Sequence, residues 1–333
     1  MKPDAYVAGI QAGDRSALAR AITLMESLTG EHQARAQEIL QQLLPRTGGG
    51  RRVGITGVPG VGKSTFIEAL GCHLIKQGHK VAVLAIDPSS SRTGGSILGD
   101  KTRMEQLSRE PKAFIRPSPA GDHGGGVARH TRETMLLCEA AGFDIVLVES
   151  MGVGQGEIAL RSMVDFYLLL QLPGAGDELQ GVKRGIVELA DMILINKADG
   201  DNRMRAEQAR AEQETALHYA APATTGWQTE VRLCSAQTGD GIAAAWERIV
   251  FFYEQLGPKG VIAARRKVQM LDWLSDAVRE ELRRKFYDDP AVRARLPEAQ
   301  AAVVRGEVTV RQAAQGLLQE FFPTAGSNAI YDK

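Results

Sequence analysis

The run Gly57-Val58-Pro59-Gly60-Val61-Gly62-Lys63-Ser64 meets the spacing G-x-x-x-x-G-K-[ST]. Glycines at this spacing let backbone N–H groups crowd around phosphate oxygens with no Cβ in the way. A helix starting at Lys63 adds its positive N-terminus. The Lys63 ammonium can reach β- and γ-phosphates, the Ser64 hydroxyl can bind Mg2+, and Thr65 completes the candidate stretch. A second pattern, Asn196-Lys197-Ala198-Asp199, lies about 130 residues further on. An Asp there can accept two hydrogen bonds from guanine N1–H and N2–H2, a pair of donors that adenine lacks. A site built on such bonds rejects the wrong ligand by roughly 10⁴–10⁵. Ser235-Ala236-Gln237 follows the apolar run 231–234. In GTPases a Ser-Ala pair after the last strand packs under the base. Each of the last two patterns is weak alone. In company with a phosphate loop they point to GTP as substrate and GDP as product.

Acidic residues supply the next layer. Mg2+ takes oxygen ligands and keeps several waters. Ser64, Asp87 at the end of the apolar run 81–86, Glu149 at the end of 145–148, and Asp100 after the loop 89–96 are candidate ligands. A helix N-cap or a turn would also account for each of the three acids. Glu149-Ser150-Met151-Gly152 has the layout D-x-x-G with Glu for Asp. In that layout the acid supports Mg2+ and the glycine N–H contacts the γ-phosphate. That contact is lost on hydrolysis, so residues 152–157 read as a switch. Gln155 is a candidate for orienting the attacking water, and equally a solvated switch residue. The catalytic candidates are thus Lys63, Glu149, Gly152 and Gln155. Arg92, Lys183 and Arg184 are the cations within reach of an arginine-finger role, and surface charge explains each as well.

These residues need strands that deliver them to one edge of a sheet. Residues 53–56 read as a buried strand entering the phosphate loop, and 63–77 as the helix leaving it, with Phe66, Leu70 and Leu74 at helical spacing. The apolar run 191–195, ending in Asn196, reads as a central parallel strand. Open α/β sheets bind ligands at the carboxyl ends of such strands. The expected fold is therefore α/β, a doubly wound, mostly parallel sheet of the P-loop NTPase kind. Residues 1–50 read as an N-terminal helical extension, 51–257 as the nucleotide domain and 258–333 as a C-terminal helical arm. Leu18, Ile22, Leu24, Met25 and Leu28, then Ile39, Leu40, Leu43 and Leu44, form apolar faces in the first segment. Residues 47–50 read as its hinge. In the last segment Leu271, Leu274, Val278, Leu282 and Phe286 form a stripe that needs either intramolecular packing or a second copy.

Composition sets outer limits. The 333 residues suggest about two domains. A hydrophobic content of 44% with only 5% aromatics favours an aliphatic core. Forty basic residues balance forty acidic ones, which argues against nucleic acid as the main partner. Cys72, Cys138 and Cys234 are scattered in expected core elements and read as buried, reduced thiols. No uninterrupted apolar run reaches about 18 residues, which leaves a cytoplasmic protein with no membrane partner as the expectation. His123-Gly124-Gly125-Gly126 resembles a hydrolase oxyanion motif, but the G-x-S-x-G elbow that it requires is missing from the sequence. Trp227, Trp246 and Trp273 read as core or interface anchors.

Four further stretches carry a family resemblance: Ala85-Ile86-Asp87-Pro88-Ser89-Ser90, Gly121-Asp122-His123-Gly124-Gly125-Gly126, residues 148–155 and residues 173–181 (Pro-Gly-Ala-Gly-Asp-Glu-Leu-Gln-Gly). With the phosphate loop, they resemble the MeaB/ArgK-type GTPases over roughly residues 15–320. The resemblance implies a GTPase that assists an adenosylcobalamin-dependent acyl-CoA mutase, of the methylmalonyl-CoA mutase type, in cofactor loading and in protection or reactivation. It also implies a homodimer built by the C-terminal arm, and a partner-facing switch over 173–184, within which Asp177 and Lys183 are the candidates. The family usually carries Thr, Val and Ser where this chain has Ser150, Met151 and Gly156. These departures fall in the switch, so nucleotide binding stands apart from them while hydrolysis rate and partner choice do not. Two other readings stay open at this point, a metal-delivery GTPase and an ATP-dependent kinase or transport-associated ATPase.

Overall fold

The computed structural model describes residues 2–27, 29–87, 104–119, 124–150, 156–174 and 184–322. Three helices come first, α1 (Pro3–Gln11), α2 (Arg15–Met25) and α3 (Gly30–Leu43). The sheet strands are β1 (Arg51–Gly57), β2 (Val81–Asp87), β3 (Ala113–Pro119), β4 (Ile145–Ser150), β5 (Phe166–Gln171), β6 (Met192–Ile195) and β7 (Glu230–Leu233). They lie in the order β3-β2-β4-β1-β5-β6-β7, and every pairing is parallel. β1 sits centrally, between β4 and β5. β4 is buried along its whole length, in keeping with the continuous apolar run 145–148 that precedes Glu149 and Ser150.

Both sheet faces are covered. Between the strands run α4 (Lys63–Lys76), α5 (Glu105–Arg109), α6 (Gly124–Ala140), α7 (Gly156–Arg161), α8 (Arg184–Val187) and α9 (Arg203–His218). On one face Leu18, Ile22, Ile39 and Leu43 of the N-terminal helices pack into a core with Leu137 of α6 and with Val146, Val148 and Tyr167 of the sheet. Of the apolar faces read from residues 1–44, Leu18, Ile22, Met25, Ile39, Leu40 and Leu43 are buried, Leu24 is half-buried, Leu44 is exposed and Leu28 lies outside the described residues. On the other face Phe66, Leu70 and Leu74 of α4 share a core with Trp246, Ile249 and Phe252 of α10 (Ile242–Leu256) and with Val53, Ile55 and Leu147. Trp227 and Trp246 are buried anchors, whereas Trp273 is half-buried. Of the cysteines, Cys138 and Cys234 are buried, but Cys72 is only half-buried.

The chain ends in α11 (Val261–Asp288), α12 (Pro290–Val304) and α13 (Val310–Phe321). Asp289 caps α12, its side chain accepting from Ala291 and Val292 N–H, and Thr309 begins α13 with a capping box to Gln312. The described residues divide into two compact units between Met270 and Leu271. Within the second, Phe286 meets Phe321 edge-on at 5.3 Å. Leu271, Leu274, Val278 and Leu282 are exposed. No described helix is long and apolar enough to cross a membrane.

Two fully buried carboxylates brace the amino ends of β5 and β6. Asp165 accepts from Arg52 N–H at 3.0 Å, from the Tyr253 hydroxyl at 2.9 Å and from Arg266 Nε and Nη2 at 2.7 and 2.6 Å. Arg266 also donates to the carbonyls of Gly48 and Gly50, so the glycine segment between α3 and β1 is fastened to the same point. Asp191 accepts from Arg161 at 2.5 Å, from Tyr167 N–H at 2.8 Å and from the Thr224 hydroxyl. Buried carboxylates survive only when fully paired, and removing one partner costs about 3–5 kcal/mol. Arg266→Met should therefore destabilise the first unit by about 3–5 kcal/mol in urea unfolding, and a loss under about 1 kcal/mol would show that the bridge is mere surface charge.

Candidate nucleotide-binding site

β1 delivers the phosphate loop. At Gly57 the backbone has φ 151°, and a Cβ would stand 2.4 Å from the Leu170 carbonyl oxygen of β5. Only glycine allows the two strands to stay this close. The loop then turns over Val58, Pro59 and Gly60, with Pro59 and Gly60 exposed. Val61 points inward and is fully buried among the core side chains. It pins the loop from beneath. Gly62 has φ 97° and starts α4 with no side-chain cap. The first-turn amides of α4 thus lack a carboxylate or hydroxyl from their own N-cap residue. Lys63 is buried, its ammonium donating to the carbonyls of Gly57 at 2.7 Å and Val58 at 3.2 Å. Ser64 is partly exposed on the first turn, and Thr65 is exposed.

Ser64 Oγ donates to Glu149 Oε1 at 3.1 Å. Glu149 is the penultimate residue of β4, pairs with Ile55 of β1 and is buried. The structure therefore joins two of the four candidate Mg2+ ligands across the sheet edge. Both are hard oxygen donors, which fits Mg2+. The backbone of Asp87 ends β2, and β2 pairs with β4. The side chain of Asp87, like that of Arg184, lies outside the described residues, as do Arg92, Asp100, His123, Gly152, Gln155, Asp177 and Lys183.

β6 delivers the second pattern. Asn196 is buried directly after the strand. Its Nδ2 donates to the Val61 carbonyl at 2.8 Å, and its Oδ1 accepts from Ala236 N–H at 3.0 Å. Lys197 adopts φ 60°, the one non-glycine with positive φ among the described residues. Such a backbone costs of order 1–3 kcal/mol and persists only where its surroundings hold it. Here the Lys197 ammonium donates to the Gly60 carbonyl at 2.9 Å, spanning the phosphate loop. Ala198 N–H donates to the Cys234 carbonyl at 3.0 Å. Asp199 accepts a hydrogen bond from the Ser235 hydroxyl, which in turn accepts from Thr238 N–H at 3.2 Å. Ala236 is buried under this turn and Gln237 is exposed.

Sequence reasoning did not assign Cys234 a part here. Its Sγ lies 3.5 Å from Asn196 Oδ1. Burial pushes the thiol up to about 12, so it stays protonated and can donate to that oxygen. No local spacing signals this contact, because it arises only when β6 and β7 lie side by side.

The geometry brings the segments 57–65, 196–199 and 235–237 to one crevice at the carboxyl edge of the sheet. At its centre Gly62 is constrained twice. A Cβ there would sit 2.7 Å from Asn196 Nδ2, and φ 97° disfavours any side chain. Gly62→Ala should lower stability by about 1–3 kcal/mol and weaken GDP binding. Thermal unfolding with and without GDP checks both, and an unchanged midpoint in both conditions would refute the constraint.

Comparison with known proteins places this crevice in context. The family model described as methylmalonyl Co-A mutase-associated GTPase MeaB matches residues 18–291. A protein of Caulobacter vibrioides is 54% identical over 310 residues, covering 93% of this chain and 95% of its own. GTPase ArgK of Escherichia coli is 48% identical over 273 residues, with 82% of each chain covered. Among solved structures, one titled LAO/AO transport system kinase superposes with a TM-score of 0.76 at 37% identity, covering 97% of this chain and 98% of that one. With a phosphate loop, a parallel sheet and a family match running through both, this chain belongs to the MeaB family of P-loop GTPases.

Proposed function

We propose that the crevice formed by residues 57–65, 196–199 and 235–237 binds GTP, and that turnover to GDP and phosphate drives assistance to an adenosylcobalamin-dependent acyl-CoA mutase. The observation that carries the nucleotide part is the Asn196 amide, which bridges Val61 of the phosphate loop to Ala236 of the base-side turn. That bridge supports a single site for both ends of a nucleoside triphosphate. Asp199 stands where it can accept from guanine N1–H and N2–H2, steadied by Ser235. The phosphates would lie over the loop amides and the start of α4, with Lys63 moving from the Gly57 and Val58 carbonyls to the β- and γ-oxygens. Ser64 and Glu149, with Asp87 and Asp100, would hold Mg2+, which when bound neutralises charge on the same oxygens. Phosphoryl transfer asks for positioning and charge compensation rather than covalent catalysis. Gly152 and Gln155 are the proposed contacts to the γ-phosphate and to water.

The mutase as partner is supported by the family description. Asp177 and Lys183 are the proposed contacts to it. A homodimer through the segment 258–333 is supported by the exposed stripe Leu271, Leu274, Val278 and Leu282, a single apolar face on α11.

Asp199→Asn should shift preference from guanine to xanthine nucleotides, read as relative inhibition of turnover by GDP and XDP, and an undiminished preference for GDP would overturn the base assignment. Lys63→Ala should abolish GTP hydrolysis, and wild-type turnover in that variant would move the active site elsewhere. For the partner, GTPase rate is measured with and without a methylmalonyl-CoA mutase, and equal rates together with no co-elution of the two proteins would remove the mutase reading. Light scattering of Leu274→Asp/Val278→Asp should give a monomer where the wild-type chain gives a dimer; a wild-type monomer, or a dimeric variant, counts against the arm.

A further inference from the structure

We infer that Ser150 is a positioning residue for the Mg2+ site: its hydroxyl, bound to Thr56 on the opposite face of the sheet, fixes the direction in which Glu149 presents its carboxylate to Ser64. The inference rests on the nucleotide reading above. β1 and β4 pair in parallel from Arg51 and Ile145 up to Ile55 and Glu149. Beyond that rung no backbone pairing joins the two strands: β1 goes on beside β5 through Gly57, while β4 keeps β2 as its partner through Ser150. One more link joins them. Ser150 Oγ donates to Thr56 Oγ1 at 2.7 Å, and both residues are almost wholly buried. A side-chain bond thus takes the place of the next backbone rung.

Strand alternation gives this link its leverage. Successive side chains point to opposite faces. Val146 and Val148 belong to the core under the N-terminal helices, while Ile145 and Leu147 belong to the core under α4. Ser150 continues the first series and Glu149 the second. Glu149 accordingly reaches Ser64 on α4. Ser150 and Thr56 lie on the far face, where Tyr167 of β5 is also buried. Burying two hydroxyls carries a desolvation cost even when they pair, and a pair of apolar side chains would fill the same space without it. The hydroxyl pair adds direction instead. It holds the peptide between Glu149 and Ser150 in register just where backbone pairing with β1 has ended. Thr, the residue the family usually carries here, keeps the hydroxyl, so this departure preserves the link.

The test is Ser150→Ala with Ser150→Thr as the conservative rescue and Thr56→Val as a second way to cut the same bond. GDP affinity is measured with and without Mg2+, alongside kcat and KM for GTP and the thermal midpoint. Without Mg2+, Ser150→Ala should bind GDP as the wild type does. The tightening conferred by Mg2+ should fall roughly 3- to 10-fold, the worth of one hydrogen bond. The kcat should fall in step with KM unchanged, Thr56→Val should repeat the pattern, and Ser150→Thr should restore it. A wild-type Mg2+ effect in both Ser150→Ala and Thr56→Val, or an equal loss of GDP affinity with and without Mg2+, would overturn the positioning role. A wild-type protein that binds no guanine nucleotide would instead remove the underlying site.

Discussion

The side-chain amide of Asn196 holds the crevice together. Its nitrogen ties down the phosphate loop at Val61 and its oxygen ties down the turn at Ala236, with the Cys234 thiol beside it. Val61 follows β1, Cys234 and Ala236 follow β7, and the amide that joins them follows β6, so the link unites three strands that are distant in sequence. The amide is buried, so a lost bond leaves a polar group unpaired, at a cost of about 1–3 kcal/mol. Gly62 follows from this geometry, because the amide occupies the space that a side chain there would need. Lys197 follows too, since its left-handed backbone turns the ammonium back onto Gly60. The proposed base and phosphate sites are thereby one mechanical unit rather than two adjacent ones.

Much of this unit was readable from residue types alone. The phosphate loop depends on glycines at fixed spacing, and the strand ending in Asn196 is a continuous apolar run with a polar stop. Both signals are local, and the parallel sheet burying both strands is the structure they require. The hidden part is long-range. In the sequence Asp165 carries no signal, and Asp191 merely opens the run read as a central strand. Their importance appears only when Arg52, Arg161, Tyr253 and Arg266 converge on them from separate elements. The same limit applies to Cys72, whose apolar neighbours suggested burial although its position on α4 leaves it half-exposed. Periodicity locates a face, but not how far the next element extends over it.

The ends of the sheet serve different needs. At the carboxyl edge, glycines and Lys197 adopt the positive φ values that shape the proposed nucleotide site. At the amino edge, charged side chains are spent on rigidity. Arg265 and Arg266 fasten the first turns of α11 to the base of β5, and Gln269 donates to the carbonyls of Arg161 and Val164. Arg161 closes α7, the helix that begins at Gly156 beside the third motif. The far end of that helix is thus moored while its near end adjoins the segment expected to respond to the γ-phosphate.

The placement of Arg266 also has a consequence for biosynthesis. Asp165 lies at the start of a central strand, yet the guanidinium that compensates it arrives about a hundred residues later. While a ribosome is still making the intervening chain, β5 can collapse against β1 only by leaving that acid without its guanidinium partner. The base of β5 therefore gains its full charge compensation only once the polypeptide beyond α10 has emerged from the exit tunnel, although the phosphate loop was synthesised long before.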